Sequence, residues 1–199
     1  MLTRRHLLAT GLGTLAAAAT GAWAQDEIAV AQILAPELQP RIVPIQAGVP
    51  AGQVHVDPNR FALYWTLPDQ TAIRYSCGIG RPGLYEPGVY YVGAKKEWPS
   101  WTPTPDMVER EPELYEPYAE KGMPGGPDNP LGARALYLFT ADRGDTFMRI
   151  HGTNAPQTIG AAVSNGCTRL INADIIDLYS RVPADTLVFL YPKSDPLAG

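Results

Sequence analysis

Apolar and polar residues begin to alternate at residue 61. Phe61, Leu63, Trp65 and Leu67 fall on one side and Ala62, Tyr64 and Thr66 on the other, the two-residue period of a half-buried strand. Pro68-Asp69-Gln70 predicts a turn, and 71–77 returns as a second strand with Ile73, Tyr75 and Cys77 together. A glycine-rich break at 78–83 ends this hairpin, and 89–92 reads as a third strand. Further strands are expected at 135–140, 147–151, 167–171 and 186–191. A helix follows Ile171, N-capped by Asn172, with Ile175, Ile176 and Tyr179 as its apolar stripe. Short strands with few helices define a mainly β domain of sandwich type with one or two short helices.

Two proline-rich stretches interrupt the pattern. Residues 25–51 carry Pro36, Pro40, Pro44 and Pro50 and read as an N-terminal linker or arm. From 96 to 130, prolines at 99, 103, 105, 112, 117, 124, 127 and 130 exclude a central strand and break any helix. Trp98, Trp101, Tyr115 and Tyr118 make this segment too aromatic for plain disorder, so it reads as a partly ordered lid over a groove. A plain surface loop is the alternative.

Residues 1–24 read as a signal peptide. Arg4-Arg5 precedes a short apolar stretch that ends in Ala22-Trp23-Ala24, a small-x-small cleavage pattern. The arginine pair points to the twin-arginine route, with general secretion as the alternative. Removing Arg4 and Arg5 leaves 14 basic against 20 acidic side chains, a net charge of −6. That balance, with no cluster of Lys and Arg, argues against a nucleic-acid partner. No transmembrane segment is expected in the mature chain. The domain is placed at 52–192, with 193–199 as a tail.

Cys77, Cys167, His55 and His151 are the thiols and imidazoles left after cleavage. None of them shows zinc-ligand spacing, so neither a metal nor a cofactor is implied. His151 ends one predicted strand and Cys167 starts another, so pairing of these strands brings imidazole and thiol within reach. That arrangement suits a nucleophilic cysteine with a neighbouring base. Gly152 allows its backbone carbonyl to orient the imidazole, and Gly166 allows close approach to a substrate oxyanion. Residue chemistry alone leaves a competitor, a non-catalytic envelope-binding module whose Cys77 and Cys167 form a disulfide.

The chain resembles the L,D-transpeptidase (YkuD-type) catalytic domains of exported Gram-negative proteins. His151-Gly152-Thr153-Asn154 is followed by Ser164-Asn165-Gly166-Cys167-Thr168-Arg169-Leu170. Gly78-Ile79-Gly80-Arg81, Pro124-Gly125-Gly126-Pro127, Asn129-Pro130-Leu131-Gly132 and Asn172-Ala173-Asp174-Ile175 extend the similarity over 52–192. Asn165 stands where the family usually has His, and Thr168 where it has a hydrophobic residue. The resemblance implies a periplasmic enzyme with Cys167 as nucleophile and His151 as general base. It implies peptidoglycan stem peptides as substrate, D-alanine as leaving group, 3–3 cross-links as product, and carbapenems as inhibitors. An envelope protein as acyl acceptor, or water in a carboxypeptidase or hydrolase, are the variants. Arg169, Ser164, Asn165, Thr153, Trp98 and Trp101 are the expected substrate contacts. For Arg169 an ion pair within the fold, for Ser164 and Thr153 turn closure, and for the tryptophans loop anchoring are the alternatives.

Overall fold

The computed structural model describes residues 34–194. The signal-peptide reading and most of the C-terminal tail therefore lie outside the described residues. Eleven strands are seen among the described residues. They are β1 (Arg41–Pro44), β2 (Val54–Asp57), β3 (Ala62–Thr66), β4 (Thr71–Ser76), β5 (Ile79–Gly80), β6 (Gly88–Glu97), β7 (Arg134–Thr140), β8 (Gly144–His151), β9 (Ala162–Ser164), β10 (Thr168–Arg169) and β11 (Leu187–Leu190). Three α-helices join them: α1 (Pro105–Arg110), α2 (Pro112–Ala119) and α3 (Asn172–Arg181).

Nine strands form one hydrogen-bonded ladder in the order β1-β4-β3-β2-β11-β6-β7-β8-β10, and β5 pairs with β9. The β11–β2 and β10–β8 pairs are parallel and the other pairs of the ladder antiparallel. The ladder closes on itself. Laid flat, β4 and β10 would stand roughly 34 Å apart at the usual strand spacing. Yet Gly78, two residues beyond β4, exchanges both main-chain hydrogen bonds with Arg169 of β10, each 2.8 Å long. The sheet must therefore curl into two layers. Their inner faces share one core that runs from Val54, Leu63 and Tyr75 to Leu136, Ile150 and Leu170 and is capped by Ile175 and Leu178 of α3.

Several expectations are corrected. The proline-punctuated arm contains β1, which adds an edge strand to β4 in register Arg41↔Arg74 to Pro44↔Thr71. Leu34, just before it, is buried against Ile159 and Ile171. The glycine-rich break is β5, a crossing strand, because its glycines permit backbone contact. A Cβ on Gly80 would lie 2.8 Å from Gly166 Cα, so only hydrogen lets the two chains pass. The prolines do not break every helix of the lid: Pro105 and Pro112 sit in the first turns of α1 and α2, where the missing N–H costs nothing, and Thr104 caps α1 through Met107 N–H. The strand expected at 167–171 is confined to Thr168–Arg169.

Helix α3 differs in two respects. Its N-cap is Ile171, and Asn172 is turned inward instead of capping. Its buried stripe is Ile175, Leu178 and Val182, at i, i+3 and i+7. Asp174 also faces inward, with Oδ2 buried and without a hydrogen-bond partner among the described residues. Burial, aided by the negative charge of Asp177, raises its pKa to about 7.

That shift makes stability depend on pH with a defined sign. Between about 4 and 7 the folded chain holds a proton that the unfolded chain has released, so stability falls as pH rises through this window. Asp174→Asn, an isostere of the protonated acid, is expected to raise the melting temperature by several degrees at pH 8 and to change it little at pH 4. An equal effect at both values, read by thermal unfolding, would contradict the assignment.

Candidate active site

Strands β8 and β10 run parallel in the register Thr168↔Ile150 and Arg169↔His151. Side chains two residues apart share a face, so Cys167 and Arg169 look out on the same side as Arg149 and His151. Cys167 lies level with Arg149, and its Cα is about 8 Å diagonally from that of His151, within the span of the two side chains. All four residues line one cleft of about 940 Å³. Its opposite wall is the lid: Trp101, Pro105, Met107 and Arg110 of the α1 region, and Tyr115 of α2.

His151 is nearly sealed, with 4% of its surface exposed. Its Nδ1 donates to the Gly152 carbonyl at 2.6 Å, since a carbonyl can only accept. This bond fixes the tautomer and leaves Nε2 with its lone pair free to take a proton. Burial lowers the imidazole pKa to about 4, and the Arg169 and Arg149 charges push the same way against the Gly152 carbonyl. The ring is thus a neutral base throughout the neutral range. The carbonyl is itself held in place. Asn172, 2% exposed, accepts from Ala133 N–H at 2.9 Å and Thr153 N–H at 3.2 Å with one Oδ1. A Cβ on Gly152 would come within 2.2 Å of that oxygen, so glycine is required here. Sequence reading assigned Asn172 to a helix cap; the signal it overlooked is an amide flanked by apolar residues.

The Cys167 thiol is partly open to the cleft. Its Sγ lies 3.9 Å from the carbonyl of Phe147. Burial pushes its pKa up, while Arg149 and Arg169 pull it down to a lesser extent. Cys77 is fully buried and its pKa is pushed up to about 12 by desolvation. Both thiols are free. Gly78 faces Arg169, which sets Cys77 level with Leu170, about 10 Å along the strand from Cys167 and beyond disulfide reach. The disulfide-tied reading is therefore corrected.

The remaining expected residues divide. Arg169 lines the cleft, makes no ion pair among the described residues, and has Nε and Nη2 buried without hydrogen-bond partners there. Ser164 Oγ donates to the Cys167 carbonyl at 2.6 Å and accepts from Gly166 N–H at 3.3 Å, bracing the cysteine loop. Gly166 has φ +119°, and a Cβ there would meet Leu84 O at 2.8 Å. Thr153 Oγ1 accepts from Ala155 N–H at 3.0 Å and closes a turn at the cleft edge. Trp101 lines the cleft and packs within the lid, 6.1 Å from the Tyr115 ring and 5.8 Å from that of Tyr118. Trp98 is not among the lining residues; its N–H donates to Ala133 O at the end of β6.

Two further cleft residues escaped the sequence reading. Arg149 is paired with Asp145 at 2.6 Å and lies over the Tyr137 ring at 4.1 Å, placing a fixed positive charge beside the thiol and imidazole. Phe147 occupies a bulge in β8, with φ +61° and 67% of its surface exposed to the cleft. A bulky residue in that backbone region is a strained exception of the kind found at functional sites. Neither a bulge nor a register can be read from residue spacing.

A closed, mainly β fold with an imidazole and a free thiol facing one lid-covered cleft defines the class. The model of the YkuD family, the L,D-transpeptidase catalytic domain, matches residues 51–190. The chain belongs to that family. It is 41% identical over 135 residues to a probable L,D-transpeptidase ErfK/SrfK of Escherichia coli, covering 63% of this chain and 39% of that protein. The chain thus matches only about two fifths of that relative's length. Among solved structures, one from Brucella melitensis described as a probable carnitine operon oxidoreductase is 45% identical, with TM-score 0.54 and coverage of 75% and 91%. L,D-transpeptidase 3 of Mycobacterium tuberculosis, with a faropenem-derived adduct, shares the fold at 16% identity, TM-score 0.51 and coverage of 72% and 61%.

The two pKa directions predict how the thiol reacts. With the imidazole neutral and the thiol protonated at rest, alkylation of Cys167 by iodoacetamide is expected to keep rising above pH 8. A plateau between pH 5 and 8 would mean a preformed thiolate–imidazolium pair and contradict this picture.

Proposed function

We propose that this chain is an exported, periplasmic L,D-transpeptidase that acts on peptidoglycan stem peptides through an acyl-enzyme on Cys167. The observation that carries the proposal is the shared cleft face of a half-open thiol and a neutral imidazole whose tautomer leaves Nε2 as the base. Leader cleavage near residue 24, the arginine-pair export route and a domain spanning 52–192 belong to the same reading. No helix among the described residues is long and apolar enough to cross a membrane.

In the proposed first step, Cys167 Sγ attacks the carbonyl that joins the third and fourth residues of a tetrapeptide stem as His151 Nε2 takes the thiol proton. The tetrahedral oxyanion collapses, the C–N bond breaks, and the imidazolium returns its proton to the departing D-alanine amine, leaving a thioester. In the second step the side-chain amine of a neighbouring stem attacks the thioester, His151 accepts the amine's proton, and the thiolate leaves to be reprotonated. The product is a 3–3 cross-link; an envelope protein as acceptor gives attachment, and water gives hydrolysis. Gly166 N–H is engaged by Ser164 Oγ, so oxyanion stabilisation falls to Cys167 N–H, aided by the charge of Arg149. Arg169, whose side chain lines the cleft, is suited to a stem carboxylate. Thr153 and Ser164 shape the cleft edge, and the exposed ring of Phe147 with Trp101 forms apolar wall for the stem.

Cys167→Ala is expected to abolish D-alanine release from a purified tetrapeptide stem while leaving thermal unfolding intact. Cys77→Ala is expected to retain substantial turnover. Liquid chromatography of digested sacculi should show new 3–3 dimers only with the thiol present. Release of D-alanine by Cys167→Ala at the wild-type rate would end the proposal.

A further inference from the structure

Asn165 departs from the family's usual histidine, and its amide makes three hydrogen bonds, two of them to the lid. Oδ1 accepts from Arg110 of α1 at 2.8 Å and from Arg81 at 3.1 Å, on the chain just beyond β5. Nδ2 donates to the Tyr115 hydroxyl of α2 at 2.7 Å. Arg81 also pairs with Glu111, the residue at which α1 ends and α2 begins. One side chain, two residues before the cysteine, thus touches both lid helices and the ribbon beneath the cysteine loop. These contacts bridge elements far apart in sequence, and they cross the cleft whose floor carries Cys167.

The residue type matters. An amide oxygen has two lone pairs and can accept from two guanidinium groups while its nitrogen donates to a phenol oxygen. A neutral imidazole offers one acceptor nitrogen and one donor, so histidine here would leave one arginine without its acceptor. Bonds from guanidinium donors are charge-assisted and stronger than neutral ones. Within the lid, Trp101 packs against Tyr115 and Tyr118 of α2 and bonds Met123 through both main-chain groups, and α1 runs straight into α2 at Glu111, so the two helices form one continuous unit. Few other contacts hold that unit down: no residue of α1 or α2 is buried.

We propose that Asn165 is a positioning residue that latches the α1–α2 lid over the cleft, and that releasing its three hydrogen bonds is what widens access to Cys167. This inference concerns the lid and does not depend on the reaction proposed above. It uses the thiol only as a reporter, and Cys77, fully buried, does not interfere.

The test compares labelling of Cys167 by a bulky dye maleimide with labelling by iodoacetamide, and follows hydrogen exchange over residues 105–119. Asn165→Leu is expected to raise the bulky-to-small labelling ratio about tenfold, as loss of charge-assisted bonds implies. It should also speed exchange in both helices. Asn165→Asp offers both arginines an acceptor and accepts a hydrogen bond from the Tyr115 hydroxyl, so it is expected to hold the ratio at or below wild type. Tyr115→Phe should give a smaller rise and serves if the leucine variant does not fold. Unchanged ratio and exchange in Asn165→Leu and Tyr115→Phe would overturn the latch. So would Asn165→Asp labelling as fast as Asn165→Leu. Absence of transpeptidation by the wild-type protein, with the labelling pattern as expected, would overturn the functional proposal and leave the latch standing.

Discussion

One hydrogen bond, from His151 Nδ1 to the Gly152 carbonyl at 2.6 Å, decides what the cleft can do. It spends one ring nitrogen and leaves the other as a proton acceptor. It also requires that the peptide after His151 be held rigidly. Asn172 does this from the start of α3, by taking the N–H groups of Ala133 and Thr153 onto one buried oxygen. Gly152 makes room for that oxygen, since any Cβ would overlap it. The imidazole's state therefore rests on a helix packed from the far side of the sheet, and on the parallel β8–β10 register that sets Cys167 on the same face.

Electrostatics around the pair do not create an ion pair at rest. Burial disfavours charge on both groups, lowering the imidazole and raising the thiol, and the nearby guanidinium groups hold the imidazole down further. Thiol and imidazole therefore both rest uncharged, the starting state that the proposed transfer of the Sγ proton to the ring requires. In the proposed reaction Arg149 and Arg169 would face the developing negative charge, where a fixed positive charge is most useful. In a chain of net charge −4, this cleft gathers Arg110, Arg143, Arg149 and Arg169 along its lining.

The strands around the core were legible because alternation is a local signal: 61–77, 135–140 and 147–151 appear close to their expected bounds. The Cys167–His151 pair was legible as a pattern of residues that resembles the family's motif; that their strands pair side by side is a fact of register, which spacing left as a condition. The lid helices were hidden by prolines whose placement in the first turn is permissive, although Thr104-Pro105 carried the start signal. Asn172, Phe147 and Arg149 were not legible, because their roles depend on register, on a bulge and on a partner from another element. Asn165 was recognised only as a departure from a pattern; that it joins Arg81, Arg110 and Tyr115 is tertiary information that no local window contains.

The most direct measurement is the intact mass of the unreduced protein after exposure to a carbapenem, with peptide mapping of any adduct. Acylation of a single site, mapped to Cys167 and missing from Cys167→Ala and slowed in His151→Ala, is the result the account predicts. A protein that stays unmodified while its cleft thiol titrates as free, or that carries the adduct anywhere else, would contradict it.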